Sequence, residues 1–395
     1  MDISLSKRAQ SIKPSPTLAV TARAAELRAE GKDIIGLGAG EPDFDTPEHI
    51  KEAAIESLKK GQTKYTAVDG TVELKNAIIN KFQRENDLEY NKNQILVSCG
   101  AKHSLYNLFQ ATLNDGDEII IPAPYWVSYP DMALLAGAKP VILETTISDH
   151  FKITPEKLQE AITNKTRMIV FNSPSNPTGV SYNEAELKAI GDVILEAPDV
   201  LVVTDDIYEH ILWGQDKFIN IVNACPDLYD RTIVVNGVSK AYSMTGWRIG
   251  YVGGPESIIK GMKKIQSQST SNASSMAQAA AVAALNGDQS YIEESTVIFK
   301  ERHDFVMNSM EKIDGISCIA SEGTFYSFPD MNGLIKRLDG ISNDIELAEF
   351  FLEKAEVAMV PGSAFGAPGC MRISFATSME NLEKSMERIK NAVES

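Results

Sequence analysis

The chain has 395 residues, 43% hydrophobic and 23% charged, too long for one simple core and too apolar to be disordered. Its 38 Lys and Arg face 54 Asp and Glu, and a formal net charge of -16 repels nucleic-acid phosphates and acidic membrane surfaces. A small-molecule partner is expected instead; if that partner is anionic, a few cations must be concentrated at its site.

The first twenty residues hold no continuous apolar segment, and no stretch elsewhere approaches the ~18 apolar residues of a membrane span, so a cytoplasmic protein without a membrane partner is expected. Ile34-Ile35-Gly36-Leu37-Gly38-Ala39-Gly40 then resembles the approach to a dinucleotide turn. The third glycine of that pattern would fall at Glu41, however, with Pro42 behind it, which sets a carboxylate where an anion should meet a helix N-terminus. A nicotinamide site is therefore disfavoured.

Short β-branched runs follow in the middle of the chain: Ile95-Leu96-Val97, Ile119-Ile120-Ile121, Met168-Ile169-Val170-Phe171, then 200–203, 233–235 and 249–252. Such runs read as strands buried on both faces. Segments 103–113, 156–162 and 183–195 between them have helical spacing, so the pattern predicts an α/β domain, with a mostly parallel central sheet sandwiched by helices. After Tyr291 the pattern changes to a long charged helix over 292–312, strands near Phe325 and Arg372, and an amphipathic helix over 379–393. The expected division is an N-terminal arm with part of the small domain over 1–45, a large domain over 46–291 and a smaller α+β domain over 292–395. Four scattered cysteines, Cys99, Cys225, Cys318 and Cys370, form no CxxC pair and read as buried thiols in a reducing compartment, with no metal site expected.

Chemistry concentrates where strands end. Ser98-Cys99-Gly100-Ala101-Lys102-His103 closes one strand with small residues and opens a helix, leaving backbone N–H groups for a phosphate. Pro122-Ala123-Pro124-Tyr125-Trp126, Phe171 to Gly179 (FNSPSNPTG) and Thr204-Asp205-Asp206-Ile207-Tyr208-Glu209 end three more strands, the place where α/β proteins bind ligands. The run VNGVSKAYSMTGWRIGY over 235–251 places Lys240 in a turn of short residues and Arg248 eight positions later. A lysine held neutral can form a Schiff base with an aldehyde cofactor, and an arginine can hold its phosphate. A bare Ser-Lys pair would read as surface, but the three neighbouring strand ends argue against that.

From Lys13-Pro14-Ser15 to Arg372-Ile373-Ser374 the chain resembles the class I aminotransferases, the fold type I family that uses pyridoxal 5'-phosphate. The resemblance implies that Lys240 carries the cofactor and later moves the substrate Cα proton, and that Asp205 holds the pyridine nitrogen. Tyr208 and Asn176 would bond the ring's phenolic oxygen, and Trp126 would stack on its face. Gly100, Ala101, Lys102 and Arg248 would bind the phosphate, joined by Tyr65 from the second subunit of a homodimer with shared active sites. Gly237 stands where many relatives have serine, and Ser239 is the candidate to replace that contact. Arg372, with Asn176 and the Gly40 backbone, would clamp the substrate α-carboxylate.

The branch resembled here, with GEPDFDTPEHI and PYWVSYPDM, reads a second carboxylate through a lysine in the phosphate turn, so Lys102 points to dicarboxylic amino and oxo acids. Lys13 is a further candidate, for prephenate. The expected reaction is ping-pong transfer from L-aspartate to 2-oxoglutarate. Its alternative is an aromatic or alanine aminotransferase of the same family. A transcription regulator would need a helix-turn-helix and a basic surface, and a non-catalytic protein would leave the Asp205, Tyr208, Lys240, Arg248 and Arg372 set unexplained. His103 and His210 are expected to pack or cap.

Overall fold

A computed structural model describes residues 4–14 and 16–394. Seven strands form the central sheet. In chain order they are β1 (Ile95–Ser98), β2 (Glu118–Ala123), β3 (Lys139–Glu144), β4 (Thr166–Asn172), β5 (Leu201–Asp205), β6 (Thr232–Gly237) and β7 (Gly250–Gly253). They lie side by side as β1-β7-β6-β5-β4-β2-β3. Pairings from β6 through β3 are parallel, and β7 alone runs antiparallel to both of its neighbours. The mostly parallel sheet read from the β-branched runs is therefore present. The sequence reading missed β3, an edge strand whose half-exposed Val141, Ile142 and Leu143 are a weaker signal than its buried neighbours.

The central strands bury both faces because helices cover both. On one side the core joins Ile95, Val97, Ile169 and Val234 to helices Glu48–Lys59, Val72–Asn86 and Ser275–Asn286. On the other, Leu96, Ile121, Val170 and Val235 meet helices Ala101–Thr112 and Glu256–Ser267. The helices start where local chemistry satisfies their free N–H groups. Asn183 and Glu186 form a reciprocal cap, with Glu186 N–H donating to Asn183 Oδ1 at 3.0 Å, and Thr154 with Pro155 opens the helix to Ala161.

A further core gathers Ile35 and Leu37 with Phe299, Phe325, Phe375 and Leu382. Phe299 is 1% exposed, and truncating such a side chain costs about 3–5 kcal/mol. The glycine-rich segment contributes a short strand, Ile35–Gly36, which pairs in parallel with Val357–Ala358 outside the central sheet. Residues 37–40 thus run from this second core toward the carboxyl ends of the central strands.

The thiols depart partly from expectation. Cys225 and Cys370 are buried, whereas Cys99 and Cys318 are half-buried, because Cys99 sits at the open end of β1 beside Arg248 rather than in the core. No described helix is long and apolar enough to cross a membrane.

Candidate active site

The parallel strands point their carboxyl ends at one cavity of about 450 Å³. One part of its wall holds Gly40, Ala101, Lys102, Trp126 and Asn176; the other holds Asp205, Tyr208, Ser239, Lys240, Arg248 and Arg372. Segments more than 300 residues apart in sequence meet there, as when Arg372 Nη2 donates to the Gly38 carbonyl at 2.8 Å.

Asp205 ends β5 and is 4% exposed. Tyr129 O–H donates to its Oδ2 at 2.6 Å, while Oδ1 is buried without a partner. Burial lifts the carboxyl to about pH 6 in pKa, and the Tyr129 bond, the Ile207 N–H and the Lys240 charge limit the rise. A buried acceptor left unpaired costs about 1–3 kcal/mol, so Oδ1 is poised for a donor entering the cavity.

Lys240 lies in the turn after β6, and its amine donates to the Gly40 carbonyl. Burial and the neighbouring Arg372 and Arg248 lower its pKa to about 8, against the opposing pull of Glu41 and Asp205. The amine is thus far more available as a nucleophile or base near neutrality than an ordinary lysine.

Gly100 caps helix Ala101–Thr112 at φ +85, with no side-chain cap on the helix N-terminus. A Cβ there would come within 2.2 Å of Arg248 Nη2, so only glycine lets the guanidinium lie against the turn. Gly250, paired with both Ser98 and Gly237, has the same role, since a Cβ on it would meet Ala101 N at 2.1 Å. Arg248 itself takes left-handed backbone at φ +56, which costs a non-glycine residue about 1–2 kcal/mol, and donates to Thr245 O at 2.9 Å. Lys102 Nζ stands 5.0 Å from the Trp126 ring centre, and burial with the Arg248 charge lowers its pKa. Gly237 is packed against Ile249 O and Gly250 Cα, at 2.9 and 3.1 Å from a would-be Cβ, while Ser239 reaches the cavity wall.

Arg372 is 3% exposed and so turns its guanidinium away from bulk water. Its Nη1 donates to Asn176 Oδ1 at 2.9 Å, its guanidinium stacks 4.5 Å from the Tyr326 ring centre, and its buried Nε has no partner. The Gly38 carbonyl holds this arginine, while the Gly40 carbonyl engages Lys240. Tyr208 O–H lies 3.0 Å from Tyr326 O–H, and burial raises the Tyr208 pKa well above the usual phenol range.

Three residues of this site escaped the sequence reading: Tyr129, Tyr326 and Asn172, whose Nδ2 donates to Asp205 O and whose Oδ1 accepts Asn176 N–H, both at 2.7 Å. Tyr129 and Asn172 lie inside quoted motifs, but only tertiary contact shows their roles. Two expected residues are not brought in by their own chain. Tyr65 is 91% exposed, and Lys13 is exposed, near Asp131. His103 Nδ1 accepts Cys99 N–H at 3.3 Å and His210 Nε2 pairs with Glu85 at 2.9 Å, both away from the reacting cavity. Glu85, Glu209 and His210 have oxygen and nitrogen atoms close enough to share an ion, but the Lys81 ammonium already lies among them, 3.5 Å from Glu85 and bonded to Glu209.

Residues 32–389 match the family model described as aminotransferase class I and II. The chain belongs to that family. This aminotransferase is 60% identical over 390 residues to the aspartate/prephenate aminotransferase of Nitrosomonas europaea, covering 98% of each chain. It is 51% identical over 390 residues to the aspartate aminotransferase of Bacillus subtilis, covering 99% of each. Among solved structures, the aspartate aminotransferase of Rhizobium meliloti superposes with a TM-score of 0.96 at 48% identity, over 100% of this chain and 99% of that one. The Thermus thermophilus aspartate aminotransferase with maleate gives 0.92 at 41%, over 99% and 100%. The fold is that of the fold type I enzymes, and the family depends on pyridoxal 5'-phosphate. The aminotransferase cavity fits that group. It presents an unpaired buried carboxylate oxygen for a ring N–H, a neutralisable amine for the aldehyde, and an uncapped helix N-terminus with Arg248 for the phosphate.

Proposed function

We propose that the chain is an aspartate aminotransferase, moving the amino group of L-aspartate reversibly to 2-oxoglutarate and giving oxaloacetate and L-glutamate, with prephenate as a further oxo-acid substrate. The observation that carries this reading is a cavity with two cations for two carboxylates, Arg372 and Lys102, and the amine of Lys240 in the same wall. A buried carboxylate without a cation costs several kcal/mol, so two such partners suit a dicarboxylate. An alanine or aromatic substrate would leave Lys102 unused.

When bound, pyridoxal phosphate supplies the carbonyl that accepts the amino group and a ring that draws electrons from the substrate Cα. Asp205, whose Oδ1 is left unpaired while Tyr129 fixes the other oxygen, would hold the ring nitrogen. Trp126 would cover a ring face, Tyr208 and Asn176 would bond its oxygen, and Arg248, Ser239 and the 100–102 turn would hold the phosphate. Arg372 forks onto the α-carboxylate, using the unpaired Nε and an Nη, with Asn176 and the Gly40 segment alongside. Lys240 would anchor the cofactor, and its amine, with a pKa lowered to about 8, would take the substrate Cα proton and give it back. The second half-reaction reverses these proton movements on the oxo acid, which gives ping-pong kinetics.

The exposed Tyr65 supports a homodimer in which it reaches the partner's phosphate site. Lys13, outside the cavity wall, is assigned to larger dicarboxylates such as prephenate. The core around Phe299, drawn mostly from residues after 292, supports the division at 1–45, 46–291 and 292–395, with Ile35 and Leu37 of the first segment packed into it beside Ile207, Tyr208 and Ile211. The acidic surface and scattered free thiols support a cytoplasmic enzyme with no nucleic-acid or membrane partner.

The test is an absorbance spectrum of the purified protein with pyridoxal phosphate. A visible cofactor band should bleach with L-aspartate and return with 2-oxoglutarate. Bleaching by alanine or phenylalanine but not aspartate would overturn the role of Lys102, and a protein that never acquires the band would overturn the whole reading.

A further inference from the structure

The loop that carries Asn176 is closed on itself, with Ser175 N–H bonded to Val180 O and Gly179 N–H to Ser175 O, and it is held from outside by the tripeptide Ser321-Glu322-Gly323. Glu322 N–H and Gly323 N–H both donate to Gly179 O, at 2.8 and 3.0 Å. The Glu322 carboxylate then takes two bonds from the next turn of chain: Oε2 accepts Ser181 N–H at 2.6 Å and Ser181 O–H at 3.0 Å. Gln215 Nε2 donates in turn to Ser181 Oγ at 2.7 Å, so amide, hydroxyl and carboxylate form a directed relay.

The same tripeptide touches the other limbs of the site. Glu322 O accepts N–H from Trp213 and Gly214, both at 2.8 Å, on the segment that follows Tyr208. Ser321 Oγ donates to Tyr326 O at 2.7 Å, and Tyr326 pairs across the strands with Ser374, two residues from Arg372. There is no slack at this joint. A Cβ on Gly179 would come within 2.6 Å of Ser321 Cβ, and one on Gly323 within 2.4 Å of Ile211 O.

Asn176, Arg372, Tyr326 and Tyr208 therefore belong to four chain segments whose mutual placement is set where Ser321 to Gly323 docks. We propose that Glu322 is a positioning residue for the carboxylate clamp: by holding Ser181 and Gly179 it fixes the loop that presents Asn176 to Arg372. Glu322 touches neither substrate nor cofactor. Its effect falls first on the end of the cavity that grips the substrate carboxylate, whereas Arg248 lies on the separate segment between β6 and β7. The inference rests on the reading of Arg372 and Asn176 as that clamp.

The experiment compares Glu322→Ala, Glu322→Gln and Ser181→Ala in the holoenzyme. It measures KM and kcat for aspartate, the dissociation constant of unreactive succinate by calorimetry, the visible cofactor band and thermal unfolding. Glu322→Ala should raise KM and the succinate constant about tenfold, the loss expected for hydrogen bonds to a charged group, with kcat within about threefold and the cofactor band retained. Glu322→Gln keeps an acceptor oxygen for Ser181 and should restore most of the affinity; Ser181→Ala should be intermediate. Unchanged KM and succinate binding in folded Glu322→Ala would overturn the proposal, as would a loss of affinity, kcat and band together that glutamine fails to rescue. If Glu322→Ala does not fold, Ser181→Ala decides by the same two constants. A wild-type protein that binds succinate but transaminates no amino acid would sink the functional reading alone, because the succinate comparison needs no turnover.

Discussion

Tyr129 gives its phenol hydrogen to one oxygen of Asp205 and so leaves the other, buried and unpaired, as the free acceptor at the carboxyl end of β5. The bond favours the ionised carboxylate, which burial disfavours.

Removing that donor with Tyr129→Phe should raise the Asp205 pKa further above about 6. The ionised form is the one required to hold a ring N–H, so the acid limb of cofactor binding by the cofactor-free protein should move to higher pH. A hydrogen bond to a charged group is worth about 1.5–3 kcal/mol, and one pKa unit corresponds to about 1.4 kcal/mol, so a displacement of about one to two units is expected. A pH profile with an unmoved acid limb would show that Tyr129 does not govern Asp205.

Lys240 should behave as an amine with a pKa near 8 in the cofactor-free protein. Only the neutral form attacks a carbonyl, so the rate of recombination with pyridoxal phosphate should climb through pH 8 and level above it. Arg372 is the largest charge lowering that pKa after burial, so Arg372→Leu should move the midpoint upward. Lys240→Ala should lose covalent attachment altogether and slow proton transfer by about 10²–10⁴-fold. Stopped-flow absorbance and single-turnover rates check these outcomes.

Lys102 should separate dicarboxylates from other substrates. Replacing it with leucine removes one charged partner, a loss of about 1.5–3 kcal/mol, so kcat/KM for aspartate should fall roughly 10- to 100-fold. The value for alanine should stay level or rise. Equal losses for both substrates would assign Lys102 to the phosphate instead.

Tyr65 tests the shared site. Tyr65→Ala and Lys240→Ala homodimers each carry their defect in both sites, whereas a mixed dimer places both defects in one site and leaves the other whole. Activity after mixing and subunit exchange should therefore exceed the sum of the two parents. Simple additivity would mean that Tyr65 serves its own chain or none.

The buried runs at 95–97, 119–121, 168–171, 200–203 and 233–235 were legible as strands because both faces are apolar, and the ligand end followed from the polar residues that close them. Lys240, Asp205, Arg248 and Asn176 were legible because short, chemically unusual motifs hold them. The edge strand Lys139–Glu144 was not, since half-exposed positions dilute the periodic signal. The pair Ile35–Gly36 with Val357–Ala358 was hidden for another reason: its partners lie 322 residues apart in register, and no local pattern encodes so distant a bond.

By itself, then, the sequence determined the α/β class, the residues able to do the chemistry, and the strand ends on which they sit, because burial and turn chemistry act over a few neighbouring residues. Tertiary structure decided which groups are paired and which are left free. Tyr129 occupies one oxygen of Asp205, the Gly38 carbonyl receives Arg372, and Tyr326 joins Tyr208 to the arginine, all through contacts between distant segments. The lowered pKa of Lys240 has the same origin: desolvation and the Arg372 charge exist only once the chain has folded around the cavity.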